Sequence, residues 1–199
     1  MPNYEFENEL VNEGYTVVAG TDEAGRGPLA GSVFAAAVIL PAGLVIEGLN
    51  DSKKLSDKKR EKLYDVIKKE AVSYAVATAD VSEIDSLNIL NASQLAMRRA
   101  VAMLSPCPDA VIVDGNVARE FPMYAKTLVK GDSKSMSVAA ASILAKVERD
   151  RYMEELDKQY PQYAFAKHKG YPTKEHMDLV RQHGASPVHR KTFLKFLDK

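Results

Sequence analysis

The chain contains one cysteine, Cys107, set between Pro106 and Pro108. A single thiol excludes an internal disulfide framework and a cysteine-based zinc site, and a reducing cytosol is the expected home. No apolar run approaches the roughly 18–20 residues needed to span a bilayer. The stretch Met1–Glu13 is acidic and polar, which excludes a secretory h-region. Net charge is also absent, with 27 Lys and Arg against 27 Asp and Glu. There is no GxxxxGK[ST] loop and no HExxH spacing among the histidines, so neither a P-loop nor a zinc hydrolase is expected. Internal repeats, low-complexity tracts and linkers are missing too. What remains is 199 residues, 46% of them apolar. That suits one domain with a substantial core, or one domain with a small appendage.

Charge is unevenly spread. Residues 1–50 carry seven acids and one base, Arg26, while residues 133–199 carry thirteen Lys and Arg, eight acids and all four histidines. Such a basic end offers a phosphate footprint, although on charge alone a solvated helical surface is the better explanation. Tyr15–Gly20 and Ser32–Leu40 read as strands joined by a tight glycine turn, hence as an antiparallel pair. Ser56 is placed to cap a helix with Leu63, Val66 and Ile67 on its apolar face. Val72–Ala79 reads as a strand and Asn88–Leu104 as a helix, followed by short strands at Ala110–Val113 and Ala125–Val129. A long Ala-rich helix is expected over Ser135–Leu156, then helices at Lys174–His183 and near Thr192–Leu197. The pattern predicts an α/β fold with a mixed sheet flanked by helices. Residues 1–160 form its core, and residues 161–199 form a basic helical appendage packed on it.

The chemistry concentrates in the acids at strand ends. Asp22 and Glu23 follow the first strand, Asp114 ends the fourth, and Asp132 follows the fifth just ahead of a helix. If these ends meet, the carboxylates repel one another unless cations hold them. Hard oxygen donors of this kind suit Mg²⁺ or Mn²⁺. Two such ions about 3.5–4 Å apart can clamp the attacking and leaving oxygens of a phosphodiester. Each acid taken singly also fits a turn or a helix cap.

Gly25-Arg26-Gly27, with Gly31 beyond, is a poor dinucleotide fingerprint, because an apolar β-like run follows where a helix is required. The glycines instead allow close backbone approach to a ligand, and Arg26 is suited to a phosphate. Lys53 and Lys134 lie in polar loops, and Ser142, Lys146 and Arg149 share one helix face. Each can meet a phosphate, and each alone is better explained by solvation. Tyr171 sits between Gly170 and Pro172 in a basic loop, where it can stack on a sugar or base. His189-Arg190-Lys191 reads as basic surface.

Several segments are familiar together. DEAGRGPLAG (residues 22–31), DSKKLS (51–56), LNIL-x-AS with AM-x-RA (87–100) and VDGN (113–116) resemble the bacterial ribonuclease HII family. KGDSKSMSVAAASILAKVERD (130–150), HKGYPTKEH (168–176) and HRKTF (189–193) match as well, in the family's order. The resemblance implies a ribonuclease H-like fold with a helical C-terminal part. It implies an endonuclease for the RNA strand of RNA–DNA hybrids that also cuts 5′ of a single ribonucleotide embedded in DNA, leaving 3′-OH and 5′-phosphate. By position, it makes Asp22, Glu23, Asp114 and Asp132 the metal-binding catalytic carboxylates for Mg²⁺ or Mn²⁺. Gly25, Arg26 and Gly27 become the backbone loop that reads the ribose 2′-OH, and Tyr171 the ring that stacks on the neighbouring sugar. Lys53, Ser142 and Lys146 are expected beside the substrate.

A junction resolvase of the same fold, or a non-catalytic nucleic-acid binder using the basic tail, are the rival readings. A cytoplasmic monomer is expected. The segment 192–197 lacks the leading Gln and paired aromatics of a sliding-clamp box and reads as a packing helix.

Overall fold

The computed structural model describes residues 1–198. Five strands, β1 (Val18–Ala24), β2 (Val33–Ile39), β3 (Ser73–Ala79), β4 (Ala110–Asp114) and β5 (Tyr124–Leu128), form one sheet. Its spatial order is β3-β2-β1-β4-β5. The first three strands are antiparallel, and β4 and β5 run parallel to β1. The helices are α1 (Glu5–Asn12), α2 (Asp57–Glu70), α3 (Val81–Leu87), α4 (Ile89–Ala102), α5 (Met136–Gln159), α6 (Phe165–His168) and α7 (Lys174–His183). This is the mixed α/β arrangement that the sequence pattern predicts.

Strand β2, between β3 and β1, is buried along its whole length, which accounts for its unbroken apolar run. Strand alternation divides it between two cores. Val33, Ala35, Ala37 and Ile39 pack with Ala92, Ala96 and Ala100 of α4. Ala36 and Val38 pack with Ala139, Ala140 and Ile143 of α5 and with Leu63 and Ile67 of α2. Alanines on both sides let helix axes approach closely. Backbone meets backbone at Gly20, where a Cβ would overlap Ser137 and Val138 at the start of α5. That start is also held by α1. The buried Glu7 carboxylate accepts hydrogen bonds from the Ser135 hydroxyl (2.6 Å), the Ser137 hydroxyl (2.7 Å) and the Ser137 N–H (3.0 Å).

The structure differs from the sequence expectation at several points. Strand β1 continues through Ala24, so Asp22 and Glu23 lie inside it and do not follow it. Its pairing with β2 extends to Ala24 opposite Phe34, and these backbone bonds carry the strand past the two acids. The link to β2 spans residues 25–32 and is not a tight turn. It is tied to the C-terminal region by the Leu29 N–H to Gly170 carbonyl bond (2.8 Å) and the Gly31 N–H to Val188 carbonyl bond (2.8 Å). Val66 is exposed; Tyr64 and Arg60 take the buried positions on α2. Ser56 precedes that helix without a side-chain cap bond. Helices α1 and α3 were not expected, although α3 opens with an Asp80–Glu83 capping box. The segment 192–197 forms 3-10 turns, not an α-helix.

From Pro161 onward the chain packs on the end of α5. Leu29, Ala30, Met153, Leu156, Tyr163, Phe165, Val180 and Leu194 make one apolar cluster. His189 and Arg190 are buried, leaving only Lys191 of that trio exposed, so the expected basic surface is absent there. The Arg190 guanidinium finds backbone carbonyls inside the fold, which is what permits its burial.

Gly20→Ala is expected to destabilise the fold by about 1–3 kcal/mol through overpacking against rigid backbone. Urea denaturation checks this, and an unchanged midpoint would contradict the close contact between β1 and α5.

Candidate active site

In the β1–β4 pairing, Thr21 lies opposite Val113. The next residues, Asp22 and Asp114, therefore sit side by side on adjacent strands roughly 4.8 Å apart. Asp22 is buried, whereas Glu23 and Asp114 are half-buried. Asp132 is buried in the 3-10 turn Gly131–Ser133 that leads into α5. This turn is pinned to the strand end by the Gly131 N–H, which donates to Asp114 Oδ1 at 2.6 Å.

The electrostatics have one sign. Burial pushes the Asp22 carboxyl well above the usual carboxylate range, and the charges of Glu23 and Asp114 push it further. Glu23 is raised mainly by burial; Arg26 opposes this and Asp114 adds to it. Asp132 is pushed up to about 6, by burial first and then by Asp51 and Asp114. Lys53 faces the group, its ammonium stabilised by Asp22, Asp132, Asp51 and Asp114 against the effect of its own burial. That ammonium alone does not balance this many acids. Among the described residues, no three carboxylate, imidazole or thiol side chains already close into a cation cage. The donor set is all oxygen, crowded and short of positive charge, and that chemistry fits hard divalent cations.

Asp22 and Glu23 line a cleft of about 240 Å³ together with Gly25, Arg26, Gly27, Ser52, Lys53, Ser142, Lys146, Arg149 and Tyr171. Nine of the eleven expected site residues thus share this cleft; Asp114 and Asp132 lie outside its lining and act on it through charge. Ser142 is buried and shares a hydrogen bond of 2.9 Å with Ser52, so it is not a solvated surface group. Lys146 pairs with Asp150 at 2.6 Å. Arg26 is exposed and lies 3.4 Å from Glu23.

The loop after β1 is built on two arginines that the sequence pattern did not mark as structural. Gly25 has φ +98°, and a Cβ there would overlap the Arg149 side chain. Arg149 is fully buried; its Nη2 donates to the Lys169 carbonyl at 3.1 Å, and its Nε and Nη1 have no hydrogen-bond partner. Arg190, also fully buried, donates to the carbonyls of Gly31 (2.9 Å), Arg26 (3.0 Å) and Gly25 (2.7 Å). Burial lowers both guanidinium pKa values, with Arg190 at about 9 and Arg149's charge contributing to its fall. Tyr171 is 41% exposed and its ring faces Gly27, where a Cβ would lie 3.7 Å from Cε1. Asp51, close to Asp132, is a further residue missed in the sequence. The helical spacing of Ser142, Lys146 and Arg149 on α5, four residues and then three, was the available signal for Arg149.

Comparison with known proteins gives this geometry a lineage. The family model described as ribonuclease HII matches residues 19–196. The chain belongs to the ribonuclease HII family. A relative named ribonuclease HII from Caldicellulosiruptor saccharolyticus is 53% identical over 192 residues, 96% of this chain and 94% of that protein. The crystal structure of ribonuclease H2 from Pyrococcus horikoshii OT3 superposes with a TM-score of 0.75 at 27% identity, covering 92% of this chain and 97% of that one. A ribonuclease HII from Archaeoglobus fulgidus, solved in complex with PCNA, gives a TM-score of 0.72 at 26% identity, covering 88% of this chain and 94% of that one. The chain is accordingly a ribonuclease H, an endonuclease with a ribonuclease H-like fold.

Crowded acids oppose folding while ionised, so a divalent ion is expected to stabilise the protein. Saturating Mn²⁺ should raise Tm, and by more at pH 7.5 than at pH 5, where Asp132 (pKa about 6) is protonated and the ion must displace its proton. Asp132→Asn should raise the metal-free Tm and shrink the Mn²⁺ shift. Equal Mn²⁺ shifts in the two proteins, read by calorimetry, would remove Asp132 from the ion site.

Proposed function

We propose that this ribonuclease H hydrolyses the RNA strand of RNA–DNA hybrids and cuts 5′ of single ribonucleotides embedded in duplex DNA, leaving 3′-OH and 5′-phosphate ends. Asp22, Glu23, Asp114 and Asp132 are proposed to hold two divalent cations, Mg²⁺ or Mn²⁺. The observation that carries this reading is the shared cleft. Buried Asp22 and half-buried Glu23 open onto the same space as the Gly25–Gly27 backbone and the Tyr171 ring. Acids for cations and an open backbone for a sugar then adjoin.

When bound, the divalent ions supply Lewis-acid stabilisation of phosphodiester charge and make water a better nucleophile. The chain's own residues supply the selectivity. Gly25 and Gly27 leave the loop backbone uncovered, so that it can approach the ribose 2′-OH, the group that distinguishes RNA from DNA. Tyr171 offers a ring face for the adjoining deoxyribose. Lys53, Lys146 and Arg26 bring positive charge to a backbone that is otherwise repelled by the acids. Ser142 is proposed to orient the Ser52–Lys53 loop through the hydroxyl–hydroxyl bond, and to meet the substrate beside Asp22. In the tail, Phe193, Leu194 and Phe196 pack into the C-terminal apolar cluster, which favours a packing role for that segment over clamp docking. The protein is proposed to act as a monomer in the cytoplasm.

Asp22→Asn is expected to lower kcat by at least roughly a hundredfold while leaving duplex affinity within about threefold, since it removes charge from the reacting end and not from the grip. Wild-type turnover by this variant, on a duplex bearing one ribonucleotide, would sink the assignment. Tyr171→Ala should reduce kcat/KM about tenfold more at a single embedded ribonucleotide than on a long hybrid, the scale of one lost stacking contact. Equal losses on the two substrates would show that the ring does not read the junction. Cleavage of all-DNA four-way junctions in the same panel would favour a resolvase instead.

A further inference from the structure

Three of the four histidines, His168, His176 and His189, lie buried together behind the Tyr171 segment. We propose that His176 and His189 are positioning residues, forming a neutral hydrogen-bonded relay of fixed tautomers that runs from the Ser186 N–H to the Tyr171 carbonyl and holds Tyr171 against the Gly25–Gly27 loop. The proposal rests on the reading of Tyr171 as the residue that meets the sugar next to the ribonucleotide.

The two ends of the relay set its direction. A backbone N–H can only donate, and that of Ser186 points to His189 Nδ1 at 3.0 Å, beside the Ser186 hydroxyl at 2.7 Å, which can turn its own proton to the same nitrogen. His189 Nδ1 is therefore the acceptor, and the proton of a neutral ring sits on Nε2. His189 Nε2 lies 3.1 Å from His176 Nε2. The latter must accept, which places the His176 proton on Nδ1. His176 Nδ1 then donates to the Tyr171 carbonyl, 3.0 Å away. Every nitrogen has one role and none is left over. His168 stacks on His176 with ring centroids 4.2 Å apart and is fixed in the same manner. The Gly170 N–H reaches its Nδ1 at 3.2 Å, and its Nε2 lies 2.8 Å from the Tyr163 carbonyl.

An added proton on either His176 or His189 would set two N–H groups face to face inside the fold. Burial holds both rings in the neutral form, with pKa values lowered to about 4. The Tyr171 backbone is also tied by its N–H to the His168 carbonyl (2.9 Å), and its carbonyl accepts from the Thr173 N–H (2.8 Å). His189 immediately precedes Arg190, the residue that gathers the carbonyls of Gly25, Arg26 and Gly31. One short segment thus sets both the loop and, through the relay, the tyrosine that faces it. An apolar trio would fill the same volume without directional bonds; the polar relay adds a defined geometry.

Long-range ¹H–¹⁵N correlation of the imidazoles in the full chain at pH 7.5 reads the tautomers directly. The relay requires Nδ1–H for His176 and Nε2–H for His189; an Nε2–H tautomer at His176 overturns it. Kinetics test the positioning role. His176→Phe should depress kcat/KM about tenfold more at a single embedded ribonucleotide than on a long hybrid. Combining it with Tyr171→Ala should add little to Tyr171→Ala alone, and His176→Asn, which keeps a donor near the Tyr171 carbonyl, should recover part of the loss. A selective Tyr171→Ala together with a His176→Phe variant that lowers both substrates in equal ratio would refute the relay while leaving the role of Tyr171 intact. A non-selective Tyr171→Ala would refute the junction-reading role itself. If His176→Phe does not fold, His189→Gln under the same comparison carries the test, alongside the tautomers of the unmodified protein.

Discussion

Carboxylate crowding is the constraint around which this molecule is arranged. The parallel register of β1 on β4 sets Asp22 beside Asp114, and a slip of one residue in either strand would exchange side chains between the two cores that flank the sheet. The sheet core therefore enforces an electrostatically unfavourable neighbourhood that the acids alone would not adopt. Lys53, brought in by the 3-10 turn Ser52–Lys54, offsets part of it. The remainder is a standing demand for positive charge at the end of the sheet. Stability and affinity for cations are in this sense the same quantity measured two ways.

Much of this was legible in the sequence because period and composition act locally. The apolar run of β2, the spacing of Ala96, Ala100 and Val101 on α4, and the length of α5 each follow from what a strand or helix must bury. The acids were legible as a set because several of them terminate apolar stretches. The error over β1 has a simple origin. Asp22 and Glu23 look like a turn, yet backbone pairing with Ala36 and Ala35 keeps them in the strand.

Burial of charge was the part that local reading could not reach. Arg149 and Arg190 look like solvated cations in sequence, because nothing near them in the chain announces a partner. Their partners are main-chain carbonyls: those of Ala30 and Lys169 for Arg149, and those of Gly25, Arg26 and Gly31 for Arg190. A carbonyl is present at every residue, so the sequence does not mark which ones are available. The same holds for His176 and His189, whose roles depend on the Tyr171 carbonyl and the Ser186 N–H. Gly25 belongs with them. Its small size reads as a loop preference, but the space beside its Cα is filled by a guanidinium from α5.

The bonds from Arg190 to Gly25 and Arg26 join residues 165 and 164 positions apart. Loop closure over such a distance comes late in assembly. The strands bearing Asp22 and Asp114 can pair as soon as residue 114 has been made, whereas the loop next to them gains its final shape only after the chain has been synthesised past Arg190. The strands that carry Asp22 and Asp114 can thus pair before Arg190 is available to bond the loop beside them.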